Sequence, residues 1–408
     1  MSGNQRIAFL CHPYHRGGVT RWMADAALAF AENGHEVYFI TVEPAKDFFS
    51  AKGRETLLQL LNKEDNAIHI ITTKAGSEFE FGTRDYRAYI YRKLMLKLPP
   101  GTPVILSDDD TIWTAATLLH NTYPIVGVLH ADDENYYTLA EKYFRQVSVF
   151  VCVSERVSRN VMQRVPQISE DTVFTIPCGI NLPAAVNNGH DGNILQLVYI
   201  GRISEYQKRV SDLVKVCGLL HQRNVAFHLD IIGDGNDKTS LENKFKEARL
   251  EALVTFHGWQ SQKKINEQLS VSDILILTSD FEGTPIAMME ALAAGCGIVG
   301  TRVSGIEDYE LHPMAADCFA VFDVGYIEVA ADKISKIAAI PVHVRQMAAR
   351  KIAESEFSMD VCLDRYTRAI DTIKKTTVPA PMVTIPLMAL LYSRVIATAR
   401  YLKVSFKP

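Results

Sequence analysis

Along the first 180 residues, short apolar, β-branched runs alternate with stretches whose apolar residues recur every three or four positions. The runs cover 6–11, 35–42, 67–72, 103–107, 124–130, 147–153 and 173–177. Continuous apolar runs of this length suit strands buried on both faces. The three-to-four spacing between most of them predicts amphipathic helices over 20–33, 54–63, 84–98, 112–121, 135–145 and 155–164. Strand–helix alternation of this kind specifies a parallel, doubly wound α/β sheet.

Between 182 and 193 the pattern lapses into a polar stretch rich in Gly and Asn, which reads as a linker. The alternation then restarts, with strands expected over 194–201, 227–233, 253–257, 274–278, 297–300 and 319–322. Helices are expected over 208–222, 238–248, 262–270, 285–294 and 327–337, then 342–356 and 359–375. The expected organisation is two α/β domains, 1–183 and 193–356, the first completed by a helix at about 358–376. A tail covers 377–408. The length of 408 residues also favours two domains.

From Lys374 onward the chain carries six basic residues and no acidic one. A helix from Leu387 would align Leu387, Leu391, Val395 and Leu402 on one stripe, and Arg400, Lys403 and Lys407 on another. Arg394 fits neither. Two readings stay open: an interfacial helix on an anionic membrane surface, or a helix docked on the first domain.

Composition narrows the class. With 48% hydrophobic and 22% charged residues the chain is that of a soluble globular protein, and a net charge of −4 argues against nucleic acid as partner. The seven cysteines lie scattered, mostly in apolar runs, without a C-x-x-C pair. They read as buried thiols in a reducing compartment rather than zinc ligands or disulfides. The run 6–11 is too short for a signal-peptide core, and no uncharged apolar stretch is long enough to span a bilayer. The expected location is cytoplasmic, at most peripheral on the inner face of the membrane.

Candidate chemistry gathers at the carboxyl ends of the expected strands. After 274–278, Gly283 and Thr284 supply a turn and an N-cap, and Pro285 occupies a first helical position. Such a strand–glycine–helix junction is an anion site, where free amides meet the positive end of the helix dipole. Glu282 on the loop and Glu290 on the helix would repel phosphate, so they are better suited to accept hydrogen bonds from hydroxyls. Phosphate with several hydroxyls describes a sugar nucleotide. Gly201 and Arg202 close the first strand of the second unit, and Lys208 begins its first helix. An Arg and a Lys there suit a diphosphate leaving group.

Gly233 and Gly235 flank Asp234 after another strand. Trp259 follows the next, where a wall for a nucleobase competes with the commoner buried indole. Gly17 and Gly18 follow the first strand, and His130 ends the strand at 124–130. Asp108 to Asp110 and Asp132 to Glu134 look like metal-binding D-x-D pairs, yet each sits where a helix N-cap is needed. No complementary His/Asp cluster accompanies them, so neither metal nor cofactor is expected.

Glu282 and Glu290 form an E-x7-E element with Glu-Gly-x-Pro. With Gly201-Arg202…Lys208, Gly233-Asp-Gly235 and Gly17-Gly18, the chain resembles the family 4 retaining glycosyltransferases of the GT-B fold from about residue 6 to residue 370. The resemblance implies two Rossmann-like domains facing across a central cleft, a nucleotide-diphosphate sugar on the second, most simply UDP-linked, and a saccharide or lipid-linked acceptor on the first. It implies that Arg202 and Lys208 hold the diphosphate, and that Glu282 with the amides of Gly283 and Thr284 holds the transferred sugar. Glu290 would hold the ribose, His130 would lie near the sugar, and Gly17-Gly18 would contact donor phosphate or acceptor. The expected function is retaining sugar transfer in cell-surface polysaccharide or lipopolysaccharide synthesis, without a metal. A GT-B-fold nucleotide-sugar epimerase and a catalytically silent sugar-nucleotide-binding protein stay as alternatives. Two departures, Asp132 where a second histidine is common and Ser304-Gly305-Ile306 in place of a glycine pair, bear on sugar and acceptor identity.

Overall fold

The computed structural model describes residues 5–12, 18–43, 68–74, 79, 81–106, 109–183, 194–373 and 387–405. The first domain runs β1 (Arg6–Leu10), α1 (Gly18–Glu32), β2 (Glu36–Ile40), β3 (Ile68–Ile71), α2 (Arg84–Met95), β4 (Val104–Leu106), α3 (Asp110–Thr117), β5 (Ile125–Leu129), α4 (Glu134–Tyr143), β6 (Val149–Cys152), α5 (Glu155–Arg164) and β7 (Val173–Thr175). The second runs β8 (Leu195–Ile200), α6 (Glu205–Lys208), α7 (Ser211–Gln222), β9 (Phe227–Ile232), α8 (Lys238–Glu247), β10 (Val254–Gly258), α9 (Gln262–Leu269), β11 (Ile274–Leu277), α10 (Ile286–Ala294), β12 (Gly297–Thr301), β13 (Phe319–Phe322), α11 (Ile327–Ala338) and α12 (Val342–Ile352). Two further helices are α13 (Met359–Asp371) and α14 (Leu387–Ser405).

Each domain is built on one parallel sheet, ordered β3-β2-β1-β4-β5-β6-β7 in the first and β10-β9-β8-β11-β12-β13 in the second. Strands β5, β6, β11 and β12 are buried along their whole length, which is why their sequences are apolar throughout. The strand order reverses between β1 and β4, and again between β8 and β11. In open α/β sheets ligands bind beyond the carboxyl ends of the strands at such reversals. The loops after β8 and β11 therefore occupy the position the fold offers for a ligand.

The two-domain α/β architecture agrees with the sequence, and the acidic triplets behave as caps. Asp109 accepts from the amides of Thr111 and Ile112, and Asp133 from that of Asn135. Asp108, the linker 184–193 and the expected helix 54–63 lie outside the described residues. Among the described residues no group of His, Cys, Asp and Glu is arranged to hold a metal ion. The seven cysteines are all buried, and none forms a disulfide with another.

Three expected boundaries are corrected. Helix 208–222 is two pieces, because Arg209 adopts a left-handed backbone (φ 45°) and ends α6 at Lys208. Lys208 thus closes a short turn instead of opening a long helix, and Thr278 Oγ1 donates to its carbonyl at 2.7 Å. Helix 342–356 stops at Ile352 and passes through a π-helical turn, Ala353–Phe357, before Ser358 caps α13. There the chain pairs with the first domain, Ile180 N donating to Phe357 O and Met359 N to Ile180 O. Helix α13 then lies on α1, with Trp22 and Tyr366 ring centroids 5.6 Å apart. The third correction concerns Pro285, which takes the N-cap position of α10 with an extended ψ of 121°. Thr284 does not cap: its hydroxyl donates to Val153 O of the first domain at 2.5 Å.

Candidate active site

The reversal between β8 and β11 sets two loops side by side. Lys208, at the end of the first, donates from Nζ to Glu282 Oε1 on the second. Ser279 Oγ donates to the same oxygen at 2.6 Å. Both recorded bonds fall on Oε1, so Oε2 is an acceptor with no partner among the described residues. Glu282 is buried, and Lys208 is largely so. The loops are tied further by Asp280 N donating to Gln207 O at 2.8 Å and by the Tyr206–Phe281 ring contact. Arg202 is exposed on the first loop, and Arg209 binds Asp212 at 2.8 Å with Asp280 3.5 Å away.

The glycines explain how close the loops come. A Cβ on Gly233 would lie 1.8 Å from Gly201 O, and one on Gly235 would lie 2.1 Å from Ile203 O. The Gly233–Gly235 turn is therefore the floor on which the Gly201–Lys208 loop rests. Trp259, beyond β10, is 62% exposed rather than a buried core indole.

The second domain's site loop is clamped against the first domain. Asp132 N donates to Glu282 O at 3.0 Å. A Cβ on Gly283 would lie 2.0 Å from His130 O, so only glycine allows this approach. The Asp132 carboxylate is held by Tyr137 Oη at 2.6 Å and Asn160 Nδ2 at 3.2 Å. Where a second histidine is common, this chain therefore places a structural anchor.

His130 is buried between Trp22, 5.5 Å away, and Tyr136, 6.2 Å away, with Cys178 Sγ 4.0 Å from Nδ1. Burial lowers its pKa to about 3, so the imidazole is neutral at physiological pH. Its Nε2 is buried without a hydrogen-bond partner among the described residues. A buried polar nitrogen left without a partner costs stability.

Gly18 opens α1, and a Cβ there would lie 2.7 Å from Ile286 Cδ1 at the start of α10. Two helix N-termini, one per domain, thus converge beside the cleft, and their dipoles favour an anion between them. Gly17 lies outside the described residues. On α10 the half-buried Glu290 accepts from Gln262 Nε2 at 2.8 Å through Oε1. Desolvation pushes its pKa up to about 7, opposed by Gln262 and by the charge of Arg21 on α1.

The structure thus brings Lys208, Glu282, Gly283 and Thr284 together with the backbone of His130, with Gly18 and Ile286 in contact beside them. Sequence reasoning missed Gln262, Trp22, Arg21 and Arg209, whose roles follow only from contacts between distant segments. The local sequence around them carries no signal beyond a polar loop or helix face.

Two parallel-sheet domains, joined where the loop carrying Glu282, Gly283 and Thr284 meets the backbone of Asp132, His130 and Val153, define a class: two-domain α/β proteins of the GT-B type. Residues 16–183 match Glycosyltransferase Family 4, and residues 185–353 match Glycosyl transferases group 1. The amylovoran biosynthesis glycosyltransferase AmsK of Erwinia amylovora is 27% identical over 185 residues, 44% of this chain and 45% of its own length. The lipopolysaccharide 1,6-galactosyltransferase of Escherichia coli (strain K12) is 27% identical over 191 residues, 46% of this chain and 50% of its own length. The chain spans about half the length of these curated relatives. The crystal structure of HepE from Anabaena in complex with UDP and glucose shares the fold, with a TM-score of 0.67 at 14% identity, covering 90% of this chain and 100% of that one. The chain belongs to the family 4 glycosyltransferases of the GT-B fold.

Proposed function

We propose that the protein is a retaining glycosyltransferase that moves a hexose from a UDP-sugar to a saccharide or lipid-linked acceptor of a cell-surface polysaccharide or lipopolysaccharide. The observation that carries this reading is the Lys208–Glu282 pair at the strand-order reversal of the second sheet. The names of the relatives support the acceptor class, and the UDP and glucose bound to HepE support the donor class.

In this reading Lys208 turns from Glu282 toward the donor's diphosphate, Arg202 closes on it from solvent, and the N-termini of α1 and α10 add their partial charges. Glu282 Oε2 accepts a hydroxyl of the transferred sugar, held there with the amides of Gly283 and Thr284. Neutral His130 meets a sugar hydroxyl through Nε2. Glu290 accepts the ribose hydroxyls, and Trp259 with the Gly201 and Gly233–Gly235 loops lines the nucleotide side. The bond between the anomeric carbon and the diphosphate oxygen breaks, and the acceptor oxygen bonds to the same face. The acceptor's proton passes to the departing diphosphate oxygen. The positive charges of Lys208 and Arg202 and of the two helix N-termini stabilise the leaving diphosphate without a metal.

Removing Lys208 takes a positive charge from the departing diphosphate, and removing Glu282 takes the acceptor that holds the sugar hydroxyl; loss of one such preorganised contact costs about 10²–10³ in turnover at comparable sites. Lys208→Ala and Glu282→Ala should each lower transfer from a radiolabelled UDP-sugar by that order while the circular-dichroism spectrum stays native. Wild-type transfer in both variants would overturn the assignment.

A further inference from the structure

Helix α14 carries two opposed faces. On one side Ser393 and Ala397 are fully buried. Thr83 N donates to Ser393 Oγ at 3.2 Å, and Arg400 Nη1 donates to Phe81 O at 3.3 Å and Gly82 O at 3.4 Å. These contacts dock the helix on α2 and the segment before it, in the first domain. Among the described side chains, it is the small Ser393 and Ala397 that are buried there.

On the other side Met388, Leu391, Tyr392 and Val395 are exposed by 76%, 46%, 63% and 67%. They recur at intervals of three and four residues and so share one face. Ordinary docked helices bury their large apolar residues and expose their small and polar ones. On α14 these four large side chains face outward, and of the described ones Ile396 is half-buried.

We propose that this outward face of α14 seats the protein on an anionic bilayer surface, with the first domain nearest the lipid. Charge identifies the occupant. From Lys374 to the end the chain carries six basic residues and no acidic one, although it is acidic as a whole, with a net charge of −4. Three of the six, Arg394, Arg400 and Lys403, lie on α14, and a basic segment with an apolar face is complementary to acidic headgroups above an acyl layer. Nothing in that charge pattern favours a second copy of the same positive segment, which would repel it. No helix among the described residues is long and apolar enough to cross a membrane, so the helix lies along the surface. Docking on the first domain, the side on which the proposed acceptor would bind, brings that domain to the membrane, where a lipid-linked acceptor resides. The last step rests on the proposed function; the membrane contact itself does not.

The full chain is to be sedimented with vesicles of phosphatidylcholine alone and of phosphatidylcholine with one-third phosphatidylglycerol, at low and high salt. Binding is expected only to the anionic vesicles and should weaken as salt screens the charges. Leu391→Glu with Val395→Glu should reduce it at least about tenfold, leaving the circular-dichroism spectrum and UDP-induced thermal stabilisation unchanged. Wild-type protein that ignores anionic vesicles overturns the proposal, as does undiminished binding by the double variant. A wild-type dimer that the same variant converts to monomer, without vesicle binding, assigns the face to a second copy and also overturns it.

Discussion

At the residue scale, Glu282 and Glu290 look alike in the sequence but differ in their surroundings. Glu282 is paired with Lys208 and with Ser279, whereas Glu290 has Gln262, a neutral donor, and a more distant arginine. Without a close cation, desolvation governs Glu290 and holds its pKa near 7 against an ordinary 4.5. The folded chain therefore keeps this proton up to about pH 7, while the unfolded chain releases it near 4.5. The stability Glu290 confers in its protonated form is present below 4.5 and lost as pH rises to 7. Ribose hydroxyls donate to the ionised carboxylate, so the proposed site favours loss of the proton. UDP affinity measured by calorimetry should rise from pH 6 to pH 8, and Glu290→Gln should remove that part of the rise. An identical pH profile in the variant would displace Glu290 from the ribose. The sequence showed that a carboxylate stands at 290; its charge state depends on Gln262 and Arg21, which no local pattern connects to it.

At the scale of elements, strands were the most legible feature, because burial on both faces writes itself as continuous apolar runs. Turns were less so. Arg209 in the left-handed region splits an apparently continuous helical pattern, and no glycine or proline marks the break. Pro285 and Thr284 resemble a first helical residue and its cap, but the threonine hydroxyl is drawn to Val153 across the domain boundary. The glycines after β8 and β9 were visible as loop residues, and their purpose was not: they let two backbones touch. Gly235→Ala places a methyl 2.1 Å from Ile203 O, which the Gly201–Lys208 loop can relieve only by moving. Overpacking of this kind costs about 1–3 kcal/mol. We expect Gly235→Ala to lower the unfolding free energy by that amount in urea and to raise the KM for the donor severalfold. An unchanged KM with the same stability loss would separate the loop's position from donor binding.

At the scale of the whole molecule, the sequence indicated two domains but not the contacts that join them. Those contacts continue outward from the site. Ser154 and Ser304 hydroxyls meet at 2.6 Å in a buried position. Glu155 N, at the start of α5, donates to Asp308 at 2.9 Å. Arg156 holds Glu307 through two nitrogens, and its guanidinium lies 4.0 Å from the same Asp132 whose amide binds Glu282 O. Arg156 and Glu307 are thus positioning residues that hold the His130 side of the cleft against the Glu282 side. The proposed UDP side-chain contacts at Arg202, Lys208 and Glu290 belong to the second domain, and the first adds only the partial charge of the α1 N-terminus, so most of the UDP affinity does not need the clasp. Arg156→Gln should accordingly reduce turnover about tenfold while UDP affinity by calorimetry stays within about twofold. Exchanging the pair, Arg156→Glu with Glu307→Arg, should recover part of the loss, because the bidentate geometry can form in either direction. If Arg156 served only general stability, UDP affinity and turnover would fall together, and the exchange would restore neither.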